Sequence, residues 1–309
     1  DRGLVGSEMC IRDRFILILV MKPLSSIFFT LISVSLGLLF TSALSFNTFQ
    51  FGGISILYFV TLYIFILQWI IFIPAYVKQT EHYFDLTGSM TYITSILLVT
   101  FFSQNIDLRD ILISSLIIVW ASRLGLFLSK RVTNAGEDTR FVHIKPNFYQ
   151  FLMTWTIQGL WVLMTAGMAF AALSSKNKLG LDLFAVIGAL IWLLGFVIEV
   201  VSDKQKTNFK NNPSNEGRFI QEGLWSWSRH PNYFGEIVLW IGIAVIAYPV
   251  IEGWQYFALL SPIFVIFLLT KVSGINLLER QGMKRWGHEE EYLNYLKRTS
   301  SLIPFPPKK

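Results

Sequence analysis

Residues 225–250 read Trp225-Ser-Trp-Ser-Arg-His-Pro-Asn-Tyr-Phe-Gly-Glu236, followed by Ile237-Val-Leu-Trp-Ile-Gly-Ile-Ala-Val-Ile-Ala-Tyr-Pro-Val250. The second half is almost wholly apolar, as expected of a segment that enters a bilayer. The first half sets a guanidinium, an imidazole, an amide and a carboxylate at its mouth. Lipid solvation asks for none of these groups. A carboxylate inside a membrane helix costs about 2.5–3.5 kcal/mol on insertion scales, so Glu236 is a functional candidate by default.

The whole chain carries the same signature. Of 309 residues, 53% are hydrophobic and 16% aromatic against 15% charged, with a mean hydropathy of +0.52. That leaves too few polar groups to cover a water-soluble surface. A spanning helix needs about 20 mostly apolar residues, and eight segments are candidates: 24–46, 53–77, 89–103, 111–129, 149–173, 180–202, 234–250 and 255–272. The sequence therefore predicts an all-α, polytopic integral membrane bundle of about eight transmembrane helices. Lys and Arg concentrate in cytoplasmic connections. With both termini inside, the inner segments carry 22 of them and the outer loops three, Arg109, Lys176 and Lys178, while Arg123 lies within a span. The net charge of +6 follows from this topology and attracts anionic membrane lipid or an anionic cofactor, with no need for nucleic acid. A bacterial inner membrane and an endoplasmic reticulum satisfy the charge rule equally.

Residues 1–14 do not fit this pattern. They are polar, lack an initiator Met and show no helical apolar face, so they are expected to be a non-native leader ahead of a single membrane domain, 15–309. Setting them aside removes Cys10, the only cysteine, and with it any disulfide or thiol nucleophile. The four histidines, His82, His143, His230 and His288, have no ligand spacing on a helix, so no metal site is expected.

The remaining polar residues sort by side. Arg123, Glu199, Asp203, Asn232 and Glu236 all fall at the predicted cytoplasmic ends of their helices. Glu199 and Asp203 are one turn apart on one face, and Lys206 and Lys210 continue it. The bland alternative makes the lysines a snorkelling flank and pairs Glu199 or Glu236 with Arg123 or Arg229. A dinucleotide phosphate would use the same inventory, cations for its phosphates and Asp, Glu and Asn for its hydroxyls and carboxamide. No Gly-x-Gly-x-x-Gly turn is present, so such a ligand would be held within the helical bundle. The residues alone stop at a polar cofactor or headgroup bound at the cytoplasmic face.

The ordered set Glu199-Val-Val-Ser-Asp203-Lys-Gln-Lys206, Gly223-Leu-Trp225, Ser228-Arg-His-Pro-Asn-Tyr-Phe-Gly-Glu236, Trp240, Glu279, Tyr292, Tyr295 and Leu302-Ile-Pro304 resembles the DUF1295 branch of the steroid 5-alpha-reductase family. The resemblance covers about residues 78–309, including Asp85-Leu-Thr-Gly-Ser89 and Arg123-Leu-Gly125. It implies a multi-helix membrane enzyme that binds NADPH through its C-terminal half, here 149–309, and reduces a carbon–carbon double bond conjugated to a carbonyl. It puts Asp203, Asn232 and Glu236 on the cofactor, with Arg229, His230, Tyr233, Trp240 and Tyr295 as neighbours. Glu199 stands where the steroid reductases use Asn.

The substrate side, 24–130, transfers less well. The family's early Gln-Glu-x-x-Pro is met here by Gln68-Trp69, with Pro74 further on, and the acid is missing. Hydride arriving at the β carbon makes an enolate, so a donor must hold the oxygen and an acid must protonate the α carbon. Tyr83, Asp85 and Arg123 are the candidates for that work, with Gln68, Trp69 and Tyr92 as substrate contacts. Each has a structural alternative: headgroup anchoring for the tyrosines, helix capping for Asp85, and interhelical hydrogen bonding for Gln68 and Trp69. A hydrophobic substrate entering from the bilayer is expected. Two rival classes stay open. Isoprenylcysteine and phospholipid methyltransferases, which bind S-adenosylmethionine, resemble the same C-terminal half, and Glu289-Glu-Glu-Tyr-Leu-Asn-Tyr295 echoes their acidic run before paired tyrosines. A non-catalytic sterol- or lipid-binding protein would keep the fold without the acid.

Overall fold

A computed structural model describes residues 22–135, 141–272 and 274–307. The expected leader and Cys10 lie outside the described residues. Two compact units are formed, one by the chain up to Lys178 with Glu252–Phe257, the other by Leu179–Ile251 with the chain from Ala258 onward.

The first unit contains α1 (Pro23–Leu44), β1 (Gln50–Phe51), β2 (Ile54–Ser55), α2 (Ile56–Val77), α3 (Phe84–Phe102), α4 (Leu108–Ala135), α5 (Phe148–Thr165) and α6 (Gly167–Ser174). The two strands form a short antiparallel hairpin. It closes on Gly52 and Gly53, whose φ values of 58° and 82° are the left-handed geometry that glycine adopts without a Cβ penalty. Ser55 caps α2 and Asn147 caps α5, each side chain accepting from a backbone N–H of the first turn. At the start of α4, Asp107 accepts from the Asp110 N–H at 2.9 Å and Asp110 from that of Asp107 at 3.2 Å. This reciprocal cap explains why the helix begins ahead of the apolar run.

All eight residues of α6 are buried, as suits a helix that is apolar all round. Its axis bends 57° from that of α5. Its C-terminal carbonyls need a partner, and Lys178 Nζ supplies one, donating to the Ala172 and Leu173 oxygens at 3.3 and 3.2 Å and pairing with Asp110 at 2.8 Å. A cation at a helix C-terminus is the favourable sign.

The second unit contains α7 (Leu183–Asn211), α8 (Pro231–Ala247), α9 (Leu260–Phe267), α10 (Ile275–Trp286) and α11 (Glu290–Arg298). Among the described residues seven helical stretches are long and apolar enough to span a membrane, and the bent pair α5–α6 makes an eighth. The expected polytopic helical bundle is therefore present, with shifted helix ends. The sixth span does not stop at 202. It continues as α7 to Asn211, because Lys204 to Lys210 are compatible with helix and nothing breaks it before Asn212-Pro213.

α7 and α8 run side by side with almost no side chain between them. A Cβ built on Gly195 would lie 2.6 Å from the Gly235 oxygen, and one on Gly235 2.6 Å from the Gly195 oxygen. One heptad along, Gly188 and Gly242 face each other in the same way, each hypothetical Cβ 2.7 Å from the other's oxygen. Lipid offers no hydrophobic drive for helix association, so this backbone approach through small residues is what dispersion can use. The periodicity is legible in the chain, as glycines seven apart on each helix. Gly195→Ala and Gly235→Ala should each destabilise the detergent-purified protein by about 1–3 kcal/mol through overpacking, read as a lowered melting temperature. Unchanged melting in both variants would contradict the close approach.

Candidate functional site

The glycine contact fixes which polar residues meet at the C-terminal end of α7. Glu199 lies beside Gly235, its backbone nitrogen 2.6 Å from where a Cβ would stand. Glu199 is 3% exposed and Asp203, one turn on, 6%. Across the contact, Asn232 Nδ2 donates to Asp203 Oδ1 at 3.3 Å. Glu236 is half-buried one turn after Asn232 on α8. The structure therefore brings together Glu199, Asp203 and Asn232, three of the residues expected to hold a cofactor.

Lys206, half-buried, lies with Nζ 4.4 Å from the centre of the Trp225 ring, a cation–π contact. Lys210 is exposed in the last turn of α7. Trp225 is buried and donates from its indole N–H to the Ser202 carbonyl at 3.0 Å. Trp240 is buried within α8.

Arg229 and His230 converge on Glu279, a residue named only within the sequence resemblance. Arg229 Nη2 lies 2.8 Å from Glu279 Oε1 and His230 Nε2 3.5 Å from it. Ser301 Oγ donates to the same oxygen at 3.0 Å. Arg229 thus finds its acidic partner on α10. Its Nη1 also donates to the Leu296 carbonyl at 2.9 Å. Tyr233 stacks on His230 with ring centres 5.7 Å apart. Tyr295, expected beside the cofactor, spends its hydroxyl on the Trp225 carbonyl at 2.7 Å, and burial pushes that phenol well above the usual tyrosine range.

In the first unit the substrate-side candidates are spread over several contacts. Tyr83 precedes α3 and packs against the buried cluster of Phe72, Phe141, Phe151 and Trp155. Asp85 lies in the first turn of α3, favourable to the helix dipole, while the capping position belongs to Tyr83. Tyr92 is buried and meets Trp120 edge-on at 5.2 Å. Arg123, one turn beyond Trp120 on α4, lies 5.1 Å over the Phe127 ring. Trp69 donates to Thr156 at 3.0 Å, and Gln68 Nε2 to Thr91 at 2.9 Å.

The orientation of Gln68 follows from chemistry. Thr91 Oγ1 already donates to the Thr87 carbonyl at 2.6 Å, so toward Gln68 it can only accept. The amide oxygen of Gln68 is left buried, with no hydrogen-bond partner among the described residues. An amide oxygen cannot donate, so Gln68 in this setting cannot hold a carbonyl through it. A separate apolar groove of about 330 Å³ is lined by Phe51, Ile56, Phe59, Val60, Tyr63, Leu98 and Phe102. It lies at the end of α3 opposite Tyr83 and Asp85. Its phenol, Tyr63, donates to Thr94 at 2.7 Å and was not signalled by any sequence motif.

Gln68→Leu removes one hydrogen bond of about 1 kcal/mol and also an orphaned acceptor costing about 1–3 kcal/mol. It should leave the melting temperature unchanged or raised, whereas a large drop would mean the amide is fully satisfied. Burial also pushes the His230 imidazole below its ordinary range, against the pull of Glu279. Below about pH 6.5 the unfolded chain then binds a proton that the folded chain refuses, so stability rises with pH across that window. His230→Gln should flatten this dependence in thermal melts from about pH 5 to 7, and an unaltered slope would assign it to other groups.

Residues 69–299 match a family described as protein of unknown function (DUF1295). Over 118 residues the chain is 30% identical to 3-oxo-5-alpha-steroid 4-dehydrogenase 1 of Rattus norvegicus, covering 38% of this chain and 40% of that protein. Over 148 residues it is 30% identical to Delta(14)-sterol reductase of Arabidopsis thaliana, covering 43% and 35%. Over 98 residues it is 32% identical to the probable O-methyltransferase ustE of Ustilaginoidea virens, covering 32% and 34%. The chain thus spans about two fifths of the length of the steroid dehydrogenases it matches. No solved structure matches.

Proposed function

The chain belongs to the DUF1295 family, and on that premise we propose that it is a membrane-embedded, NADPH-dependent reductase of a carbon–carbon double bond conjugated to a carbonyl in a hydrophobic, steroid-like or other lipid substrate. The observation that carries the reading is the junction of Asp203 and Asn232, with Glu199 beside it, on two helices whose backbones touch. Carboxylates and a carboxamide held rigidly in one place suit ribose hydroxyls and an amide. Lys206 and Lys210 on the same helix supply cations of the kind a phosphate takes up. Similarity to a steroid dehydrogenase and a sterol reductase supports the same class.

NADPH, when bound, supplies a hydride. In this reading Asp203, Asn232, Glu236 and Glu199 orient it and the lysines offset its charge. The substrate carbonyl then needs a donor and the α carbon a proton, roles we assign to Tyr83, Asp85 and Arg123. The site faces the cytoplasm, where the basic excess lies. A second reading, methyl transfer from S-adenosylmethionine, is favoured by the similarity to a probable O-methyltransferase. It makes less use of the lysines, since a sulfonium is itself a cation.

Calorimetric titration of the purified chain with NADPH, NADH and S-adenosylmethionine separates the readings. Saturable binding of NADPH is expected. Asn232→Ala and Glu236→Ala should each weaken it about tenfold or more, roughly 1.4 kcal/mol, while the bundle stays folded. Unchanged NADPH affinity in both variants, or binding of S-adenosylmethionine alone, would overturn the assignment. NADPH binding with no oxidation by any enone would instead mark a lipid-binding protein that has lost the chemistry.

A further inference from the structure

The turn that launches α8 is held by α8 itself only through the Phe234 N–H, which donates to the His230 carbonyl at 3.2 Å. His230, the residue before its first turn, provides no side-chain cap. Residues 227–229 are also tied to the chain's C-terminal segment. The Arg229 N–H donates to the Ser300 carbonyl at 2.8 Å, and the Phe305 N–H to the Trp227 carbonyl at 3.1 Å. Ser228 and Ser300 pair as a parallel bridge. Ser228 Oγ donates to the Leu302 carbonyl at 2.7 Å and accepts from the His230 N–H at 3.1 Å. Ser228 is fully buried. Its single hydroxyl therefore joins the C-terminal segment to the residue that precedes Pro231 and Asn232.

We infer that Ser300–Phe305 is a strap that sets the first turn of α8, with Ser228 as its pin and positioning residue. Most of the strap's contacts are made by its backbone, so its path matters more than its side chains. Ser301 is the exception, through Glu279 to Arg229. The strap also accounts for the local geometry. A Ser-Arg-His-Pro turn without a capping side chain would fray, and fraying would move Asn232 away from Asp203, since an uncapped helix terminus leaves its first N–H groups without partners. The inference rests on the cofactor reading only for what that turn presents.

Hydrogen exchange on the ligand-free, detergent-purified protein tests the strap directly. Ser228→Ala, and separately a chain ending at Thr299, should raise exchange about tenfold at the amides of Phe234 to Val238 while the amides of Leu183 to Val200 keep their protection. Ser228→Thr, which retains the hydroxyl, should restore it. In turnover with NADPH the same two changes should raise the KM for NADPH about tenfold at nearly constant kcat. Unchanged exchange at Phe234 to Val238, or an equal rise along the whole of α7 and α8, overturns the strap, the second because it would reveal only general destabilisation. If the unaltered chain binds no NADPH, the cofactor reading is lost, while the exchange comparison still decides for or against the strap.

Discussion

The second unit depends on the approach of two helix backbones to a distance that no side chain permits. Gly188 against Gly242 and Gly195 against Gly235 set both the separation and the register of α7 and α8. Lipid contributes little to helix pairing, so the gain comes from close contact over a long run. A shift by one turn would place glycines against larger residues and forfeit that contact. Because the register is discrete, the polar residues beyond the last glycine pair are delivered to fixed positions. Asp203 meets Asn232 as a consequence of geometry set at Gly195 and Gly188, eight and fifteen residues earlier in α7.

At the other end of the same problem, Pro231 starts α8 with the φ that a first helical residue prefers, but the preceding turn needs holding. Aromatic groups do part of this. Phe219 lies 4.9 Å from Tyr292 and 5.4 Å from Tyr295, and Trp286 donates to the Gly217 carbonyl at 2.5 Å. The loop between α7 and α8 is thereby fastened to α10 and α11. Glu279 adds the electrostatic part, balanced between Arg229, His230 and Ser301.

The spans were legible in the sequence because about 20 apolar residues in a row have few other uses, and because Gly and Pro within them do not break membrane helices. Asp203, Asn232 and Glu236 stood out in the sequence as candidates because charge and amide at a bilayer boundary are expensive. Glu279 was visible only as a member of a motif, since an acid on a polar helix is unremarkable until Arg229 and His230 are placed against it. The Ser300–Phe305 contacts could not be read at all. They are made mainly by backbone atoms, and a backbone hydrogen bond leaves no mark on residue type. In the first unit the sequence offered both a ligand role and an interhelical role for Gln68 and Trp69. The structure supplies hydrogen-bond partners for both, Thr91 on α3 and Thr156 on α5, and Thr91 does not stand out among the many Ser and Thr residues of its helix.

α7 has 29 residues, about 43 Å at roughly 1.5 Å per residue, which exceeds the ~30 Å of a bilayer's hydrocarbon core. One rigid rod therefore passes from a medium that screens charge poorly into one that screens it well. Glu199, Asp203, Lys206 and Lys210 mark successive levels along that change of permittivity. An elongated molecule with one ionic end and one flat, uncharged end, laid along this helix, would be turned the same way round by the solvent gradient before any individual contact was made.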